Sequence, residues 1–238
     1  MSETLSQSIP LIPPVDILAF VWFMSLWVGY TLIADRQGPG QRKAARVMHD
    51  FRVSWMQRML ERDNRTADVN IVIAHMRSAM MFASITILIL AGVMTILGNV
   101  GKARAVVSEL SFAVGASQEL WEIKVFVLMF IFVYAFFKYA WCLRQFNFTL
   151  IFIGAAPLPE EVNAQERKDY PDCGARLMDR GIISQNRGLR AYYFGLALLA
   201  WFIGPIYLAI SAVWVVAVLY RRDFRSVILK TLSEQDIV

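Results

Sequence analysis

One stretch, residues 121–154, constrains the fold of this chain more than any other. It is almost entirely apolar and aromatic, yet Lys138 lies inside it, and Arg144, Gln145 and Asn147 follow within nine residues. An apolar run of about 20 residues is typical of a transmembrane helix, and a cation inside such a run is costly. The stretch therefore predicts a membrane helix and marks Lys138 as a candidate functional residue.

The rest of the chain supports the same class of protein. It is 57% hydrophobic, whereas soluble domains are about 45–50% apolar. We predict a single all-α membrane domain over residues 1–238, without internal repeats. It should be an integral membrane helical bundle of about four transmembrane helices. The predicted spans are approximately residues 15–34, 72–98, 121–144 and 191–220.

The third span raises a problem of length. A single helix over residues 121–153 would be about 50 Å long, too long for a hydrocarbon core of about 30 Å. We therefore expect the chain to leave the membrane near Arg144–Asn147, with Phe146–Gly154 lying at the interface or dipping back in. Residues 155–190 are predicted to form a polar, charged loop, because two prolines open a hydrophilic segment.

The last apolar block, residues 191–220, is interrupted by Gly204-Pro205. One interpretation is a single helix that is kinked at Pro205 and crosses the membrane once. The alternative is a re-entrant hairpin that turns at Gly204-Pro205, which keeps both of its basic ends on one side of the membrane. The sequence leaves both interpretations open.

Residues 41–65 show the pattern of a basic amphipathic helix. Apolar residues recur at helical spacing from Ala44 to Met59, and arginine and lysine side chains occupy the opposite face. Such a helix can lie in the plane of the lipid headgroups as an interfacial helix. The alternative is that it packs on the protein's own cytosolic surface, and the two placements can coexist.

The distribution of lysine and arginine predicts the orientation. Residues 1–14 contain none, 35–72 contain eight, 99–120 contain two and 144–190 contain seven. Positive loops stay in the cytoplasm, so we expect a multi-pass protein of the bacterial inner membrane with its N-terminus outside. The formal charge is +5. Because the cations flank apolar spans, anionic phospholipids of the bilayer explain that charge better than nucleic acid does.

Several polar residues are predicted to lie at one depth, near the cytosolic headgroups. A cluster of cations at this level could bind an anion or the headgroup of an anionic lipid, with Asp35 and Asp68 as candidate counter-ions. The alternative for Lys138 is that it only snorkels toward the interface or pairs locally. The candidate site residues are Lys138, Arg144, His75, Arg77, Gln145, Asn147 and Arg190.

Signatures of enzymes are absent from the sequence. There are two histidines and two cysteines, none in a metal-ligand spacing, and no nucleophile or phosphate-binding motif occurs. We therefore predict no catalytic residues, no metal site and no cofactor.

Several local strings across residues 15–230 together carry a resemblance to a known family. They are Arg52-x-x-Trp55, Arg62-Asp63-Asn64-Arg65, Phe82-Ala83-Ser84, Phe136 to Asn147 (FFKYAWCLRQFN), Gly154-Ala155-Ala156-Pro157, Tyr192-Tyr193-Phe194, Trp201-Phe202-x-x-Pro205 and Leu219-Tyr220-Arg221-Arg222-Asp223-Phe224. With these strings the chain resembles the bacterial and plant membrane proteins catalogued as domain of unknown function 599. This resemblance implies an integral membrane protein with about four helices and without a settled activity, so it transfers no catalytic residues.

Two classes of function follow from the sequence. The first is a membrane protein that binds or conducts an anion, or binds an anionic lipid headgroup, at the cytosolic basic cluster. The second is a non-catalytic accessory or structural subunit of a larger membrane complex. In either case we expect the chain to associate, as a homo-oligomer or with a partner in the membrane.

Overall fold

The computed structural model describes residues 12–35, 39–111 and 114–224, and this part of the chain is helical without strands. Four of the helices, α1, α3, α5 and α7, are long and apolar enough to cross a membrane. The predicted all-α membrane bundle is therefore confirmed. The helices are α1 Pro14–Asp35, α2 Pro39–Leu60, α3 Thr66–Leu97, α4 Val100–Ser108, α5 Gln118–Gly154, α6 Ala164–Leu199 and α7 Pro205–Phe224.

Helix α1 sets the scale of the bundle. Its 22 residues correspond to about 33 Å, close to the thickness of a hydrocarbon core. Asp16 and Asp35 lie in its first and last turns, so they mark two opposite ends of the bundle. These are called the Asp16 end and the Asp35 end below.

Helix α5 continues past the point where the chain was expected to leave the membrane. It extends without interruption from Gln118 to Gly154, 37 residues or about 55 Å, so Phe146–Gly154 belongs to the same helix, and the exit from the membrane near Arg144–Asn147 remains a prediction. The cause lies in its second half, where Phe146 and Ile153 are fully buried against other helices. Apolar residues there cover protein, and the helix therefore need not stop when it becomes longer than a membrane is thick.

The prediction of a loop over residues 155–190 is wrong, because most of this segment belongs to helix α6. Asn163 caps this helix by accepting from the backbone N–H of Glu166, and the Glu166 carboxylate accepts from the backbone N–H of Asn163. This reciprocal capping box is a strong helix start. Helix α6 is polar by composition, yet 36 residues long, because it packs along α5 in antiparallel orientation.

A seven-residue spacing of glycines on α6 allows this close packing. Each of these glycines lies against an aromatic ring of α5: an added Cβ would lie 2.9 Å from Phe152 at Gly174, 2.9 Å from Tyr139 at Gly188 and 3.0 Å from Phe132 at Gly195. Rings of α5 thus occupy the space that side chains of α6 would need. The four glycines are Gly174, Gly181, Gly188 and Gly195.

The last apolar block is a hairpin, so a single helix kinked at Pro205 is wrong. Helix α6 ends at Leu199, residues 200–202 form a 3₁₀ turn, and α7 begins at Pro205, which fits a first helical turn because proline has no N–H to leave unpaired. Ser211 Oγ donates to the Ala197 carbonyl at 2.9 Å across the hairpin. Both helices of this hairpin are long, so the last turn of α7 reaches the Asp35 end of the bundle.

Helix α2 packs against the protein itself. Met56, Met59 and Leu60 are buried in the core that also contains Tyr139 and Phe146 of α5. Packing on the protein's own surface is thus found, whereas contact with lipid headgroups remains a prediction. The short helix α4 lies at the Asp16 end, between α3 and α5.

Candidate functional site

The structure distributes the predicted site residues over different environments. Arg144 is exposed and lies over the rings of Trp141 and Phe148, with its guanidinium carbon 5.7 and 5.5 Å from their centroids. Arg77 and Asn147 are also exposed. These side chains therefore point away from the interior of the bundle.

Two more of the predicted residues lie in the core between α3, α5 and α6. The His75 ring packs on Phe146 with 5.6 Å between centroids. Gln145 is buried, and its backbone carbonyl accepts from the Thr149 hydroxyl at 3.0 Å. Of the predicted site residues, only Lys138 and Arg190 belong to the charged cluster around Asp35.

Five side chains form what we call the Asp35 cluster: Asp35, Lys138, Arg187, Arg190 and Tyr134. Arg187 Nε donates to Asp35 Oδ2 at 2.8 Å, and Arg190 Nη2 donates to Asp35 Oδ1 at 2.5 Å. The Lys138 ammonium lies over the Tyr134 ring, 5.0 Å from its centroid. The cluster joins the end of α1 to the middle of α5 and α6.

Helix geometry brings the two arginines to Asp35. Residues three apart share a helix face, and side chains lean toward the N-terminus of their helix. On α6 that direction leads to the Asp35 end, so Arg187 and Arg190 both reach the carboxylate from deeper in the bundle. Arg190 is 5% exposed and Arg187 37% exposed, so the cluster opens on one side.

Lys138 occupies a different position from the one that snorkelling predicts. Helix α5 runs in the opposite direction to α6, so its side chains lean away from the Asp35 end. The ammonium accordingly lies at Tyr134, four residues before Lys138, rather than toward Arg144. It remains close enough to Arg187 and Asp35 to interact electrostatically with both.

The charges of the Asp35 cluster do not balance. Three cations surround one carboxylate, and within the described ranges 12–35, 39–111 and 114–224 Lys138 forms no ion pair. Arg190 Nε is buried and has no hydrogen-bond partner in the same part of the chain. Buried polar groups are normally paired, so the cluster has unused donors as well as an excess of positive charge.

In a neighbouring group on α7 the charges are balanced. Arg222 Nε pairs with Asp223 Oδ1 at 3.1 Å, and the Tyr30 hydroxyl donates to Asp223 Oδ2 at 2.7 Å. The Arg222 guanidinium also lies over the Tyr193 ring, 5.4 Å from its centroid. This neutral pair borders the Asp35 cluster without changing its net charge.

The Asp16 end contains a second buried ion pair, which sequence reasoning missed. Lys124 Nζ lies 3.3 Å from Asp16 Oδ1 and donates to the Trp201 carbonyl at 2.9 Å, while Trp201 Nε1 donates to Asp16 Oδ1 at 2.7 Å. Both charged side chains are less than 10% exposed. A signal was present, because each charge occurs near the start of an apolar span.

Polar contacts also fasten α2 to α6 and α3. His49 lies between Asp179 and Asp172, at 2.6 and 3.3 Å, and Arg52 Nε donates to Asp179 at 2.6 Å. Asp68, a predicted counter-ion of the site, instead accepts from Trp55 and Arg62. It therefore joins α2 to α3 and takes no part in the Asp35 cluster.

The described residues contain no group of three or more histidine, cysteine, aspartate or glutamate side chains that could hold a metal ion. Cys142 is buried and Cys173 exposed, and both are free thiols. The structure does provide a cationic, partly open cluster around Asp35.

The strings that carried the family resemblance meet in the structure. Arg65 donates to the Ala156 carbonyl at 2.6 Å, closing the end of α5. Phe82 stacks on Tyr139, with 5.3 Å between centroids, and packs edge-on against Tyr192. Strings far apart in the sequence thus form one packed unit between α3, α5 and α6.

Comparison with known proteins agrees with this resemblance. No curated protein and no solved structure matches the chain. A family model described as "Protein of unknown function, DUF599" matches residues 18–228, which is most of the chain. The chain therefore belongs to the DUF599 family.

Proposed function

We propose that this membrane protein binds an anion, or the headgroup of an anionic phospholipid, at the Asp35 cluster. The observation that carries the proposal is the imbalance of three cations against one carboxylate in a partly buried site. Leaving such an excess uncompensated near a membrane is costly. A bound anion would remove that cost and would satisfy the free donors of Lys138 and Arg190.

The depth of the cluster favours a headgroup. Because α1 is about as long as a hydrocarbon core is thick, its last residue Asp35 lies near one membrane surface. We place this end in the cytoplasm of a bacterial inner membrane and the N-terminus outside, because positively charged segments stay inside. Most of the lysine and arginine is found in residues 35–72 and 144–190. The first of these segments begins at this end, and the second lies toward it.

Helix α2 fits the same placement. Its exposed side includes Arg46 and Arg58, while its buried side packs on the protein. Basic side chains beside a membrane surface attract anionic phospholipids. The helix would therefore lie at the interface on one side and against α6 on the other.

Native mass spectrometry tests the proposal, applied to protein released from its own membrane in a mild detergent. We expect a homo-oligomer or a monomer that retains anionic phospholipid or a smaller anion, and reduced retention in Lys138→Met. Lys168→Met is the matched control, because it removes the same charge from an exposed position on α6. Equal retention in wild type and Lys138→Met would refute the proposal.

The same spectrum separates the second predicted class of function. A defined mass containing another protein, without retained anion, would instead support an accessory subunit of a larger membrane complex. Retention of a small anion without lipid would direct the next experiment to anion flux in proteoliposomes, again with Lys138→Met and Lys168→Met compared.

A further inference from the structure

We infer that the Asp35 cluster selects a phosphate monoester in its dianionic form over a singly charged phosphodiester. The inference rests on the proposed function and names the ligand class of that site. A phosphate monoester can come from a lipid, as the headgroup of phosphatidate, or from a soluble metabolite. The chemistry is shared, and the experiment below distinguishes the two sources.

The first step is the charge. Arg187, Arg190 and Lys138 carry three positive charges, and Asp35 carries one negative charge. The neighbouring Arg222–Asp223 pair adds none. A ligand with two negative charges therefore neutralises the cluster, whereas a phosphodiester with one would leave a positive charge in a partly buried site.

The second step is the number of donors. Asp35 accepts one N–H from each arginine, Nε of Arg187 and Nη2 of Arg190, and its two oxygens are used in this way. The terminal nitrogens of Arg187, the Nε of Arg190 and the Lys138 ammonium remain available in the part of the chain that the structure describes. Guanidinium groups bind phosphate oxygens in pairs, with charge-assisted hydrogen bonds.

The third step is the match in shape. A phosphate monoester presents three terminal oxygens, and a phosphodiester presents two. The cluster contains three cationic side chains from two helices, Lys138 from α5 and Arg187 and Arg190 from α6. The Lys138 ammonium lies over the Tyr134 ring, and both arginines donate to Asp35. A group with three terminal oxygens therefore offers one acceptor to each of these cations.

Lys138 is therefore the residue that decides between the two classes of ligand. Without its charge the cluster would carry a single excess positive charge, and a monoanion would neutralise it. We expect Lys138→Met to lose the preference for a dianion, and Lys138→Arg to retain it. One charge-assisted hydrogen bond in a partly buried site corresponds to about tenfold in affinity, which is the expected preference of the wild type.

The experiment measures lipid binding to the purified full chain in nanodiscs of neutral lipid. Equal amounts of phosphatidate and phosphatidylglycerol are added at pH 8, and bound lipid is quantified by native mass spectrometry. A second series at pH 5 converts the monoester to its monoanion, since the second pKa of a phosphate monoester is about 6. Glycerol 3-phosphate serves as the soluble competitor.

We expect about tenfold more phosphatidate than phosphatidylglycerol at pH 8, and a preference that disappears at pH 5 and in Lys138→Met. Lys168→Met should behave as wild type. Displacement by equimolar glycerol 3-phosphate would identify a soluble ligand, and resistance to displacement a lipid headgroup; either result supports a phosphate monoester. The unfolding transition of each variant is measured in detergent to show that the variant is folded. The transition of Lys138→Arg should match that of wild type.

Three outcomes would contradict the inference, and they are distinguishable. Equal binding of both lipids, lost together in Lys138→Met, would refute selection of a dianion while the proposed anion site stands. Absence of any bound anion from wild type would refute both proposals. Equal preference for phosphatidate in Lys138→Met and wild type would show that Lys138 does not select the ligand.

Discussion

The packing of α6 on α5 predicts that Gly188→Ala destabilises the protein although alanine is the better helix former. A Cβ at residue 188 would lie 2.9 Å from two atoms of the Tyr139 ring. Tyr139 cannot move aside easily, because it is fully buried, stacked on Phe82 and packed edge-on against Tyr192. The substitution must therefore displace a helix or strain a ring.

The magnitude follows from two opposing effects. Overpacking of a tight core costs about 1–3 kcal/mol, and the rigid surroundings of Tyr139 place this site near the upper value. Replacement of glycine by alanine within a helix contributes about 1 kcal/mol of stability. We expect a net loss of about 2 kcal/mol in the free energy of unfolding.

Gly92→Ala is the matched control, since Gly92 lies in α3 and an added Cβ there has no atom within 4 Å. It should gain about 1 kcal/mol, so the two variants should differ by about 3 kcal/mol. Titration of each purified protein from mild detergent into dodecyl sulfate, followed by circular dichroism, measures the difference. The packing argument fails if Gly188→Ala is as stable as Gly92→Ala.

Three further predictions follow from the contacts at the ends of the bundle. Lys124→Met should lower the free energy of unfolding by about 3–5 kcal/mol, because it leaves the Asp16 carboxylate buried without a cation. Addition of Asp16→Asn should recover part of this loss in the same unfolding assay. A Lys124→Met protein as stable as wild type would contradict the prediction. His49→Ala should increase protease cleavage of α2 while the unfolding midpoint of the bundle stays constant; unchanged cleavage would show that the histidine contacts do not fasten the helix. A membrane-impermeant maleimide should label the exposed Cys173 in permeabilised cells and leave intact spheroplasts unlabelled, with buried Cys142 unreactive in both; labelling of intact spheroplasts would reverse the proposed orientation.

The sequence predicted the apolar helices because hydropathy alone identifies them, whereas α6 depends on its partners. Its first part is charged and contains Pro171, so composition favoured a loop. The capping box at Asn163 and the glycines seven residues apart were visible in the sequence. They gain meaning only once aromatic rings on α5 are known to lie opposite Gly181 and Gly188.

The candidate site was predicted in part for a similar reason. Lys138, Arg190 and Asp35 were recognised, because charges in or beside apolar segments are unusual. Arg144 was grouped with them by depth, although it lies on another face of α5. Arg187 was missed, since it belonged to the predicted loop, and its role appears only when α6 places it beside Asp35.

The two ends of the bundle use the same kind of residues for different purposes. At the Asp16 end one lysine pairs with one carboxylate and donates to a backbone carbonyl, while a tryptophan N–H donates to the same carboxylate, so the charges are balanced and the group is buried. At the Asp35 end Arg187 is 37% exposed and Lys138 pairs only with a ring among the described residues. Stability alone would favour closure at both ends, because unpaired charge is costly there. The open cationic cluster at one end, in contrast to the closed ion pair at the other, is therefore the feature that the proposed anion ligand would explain.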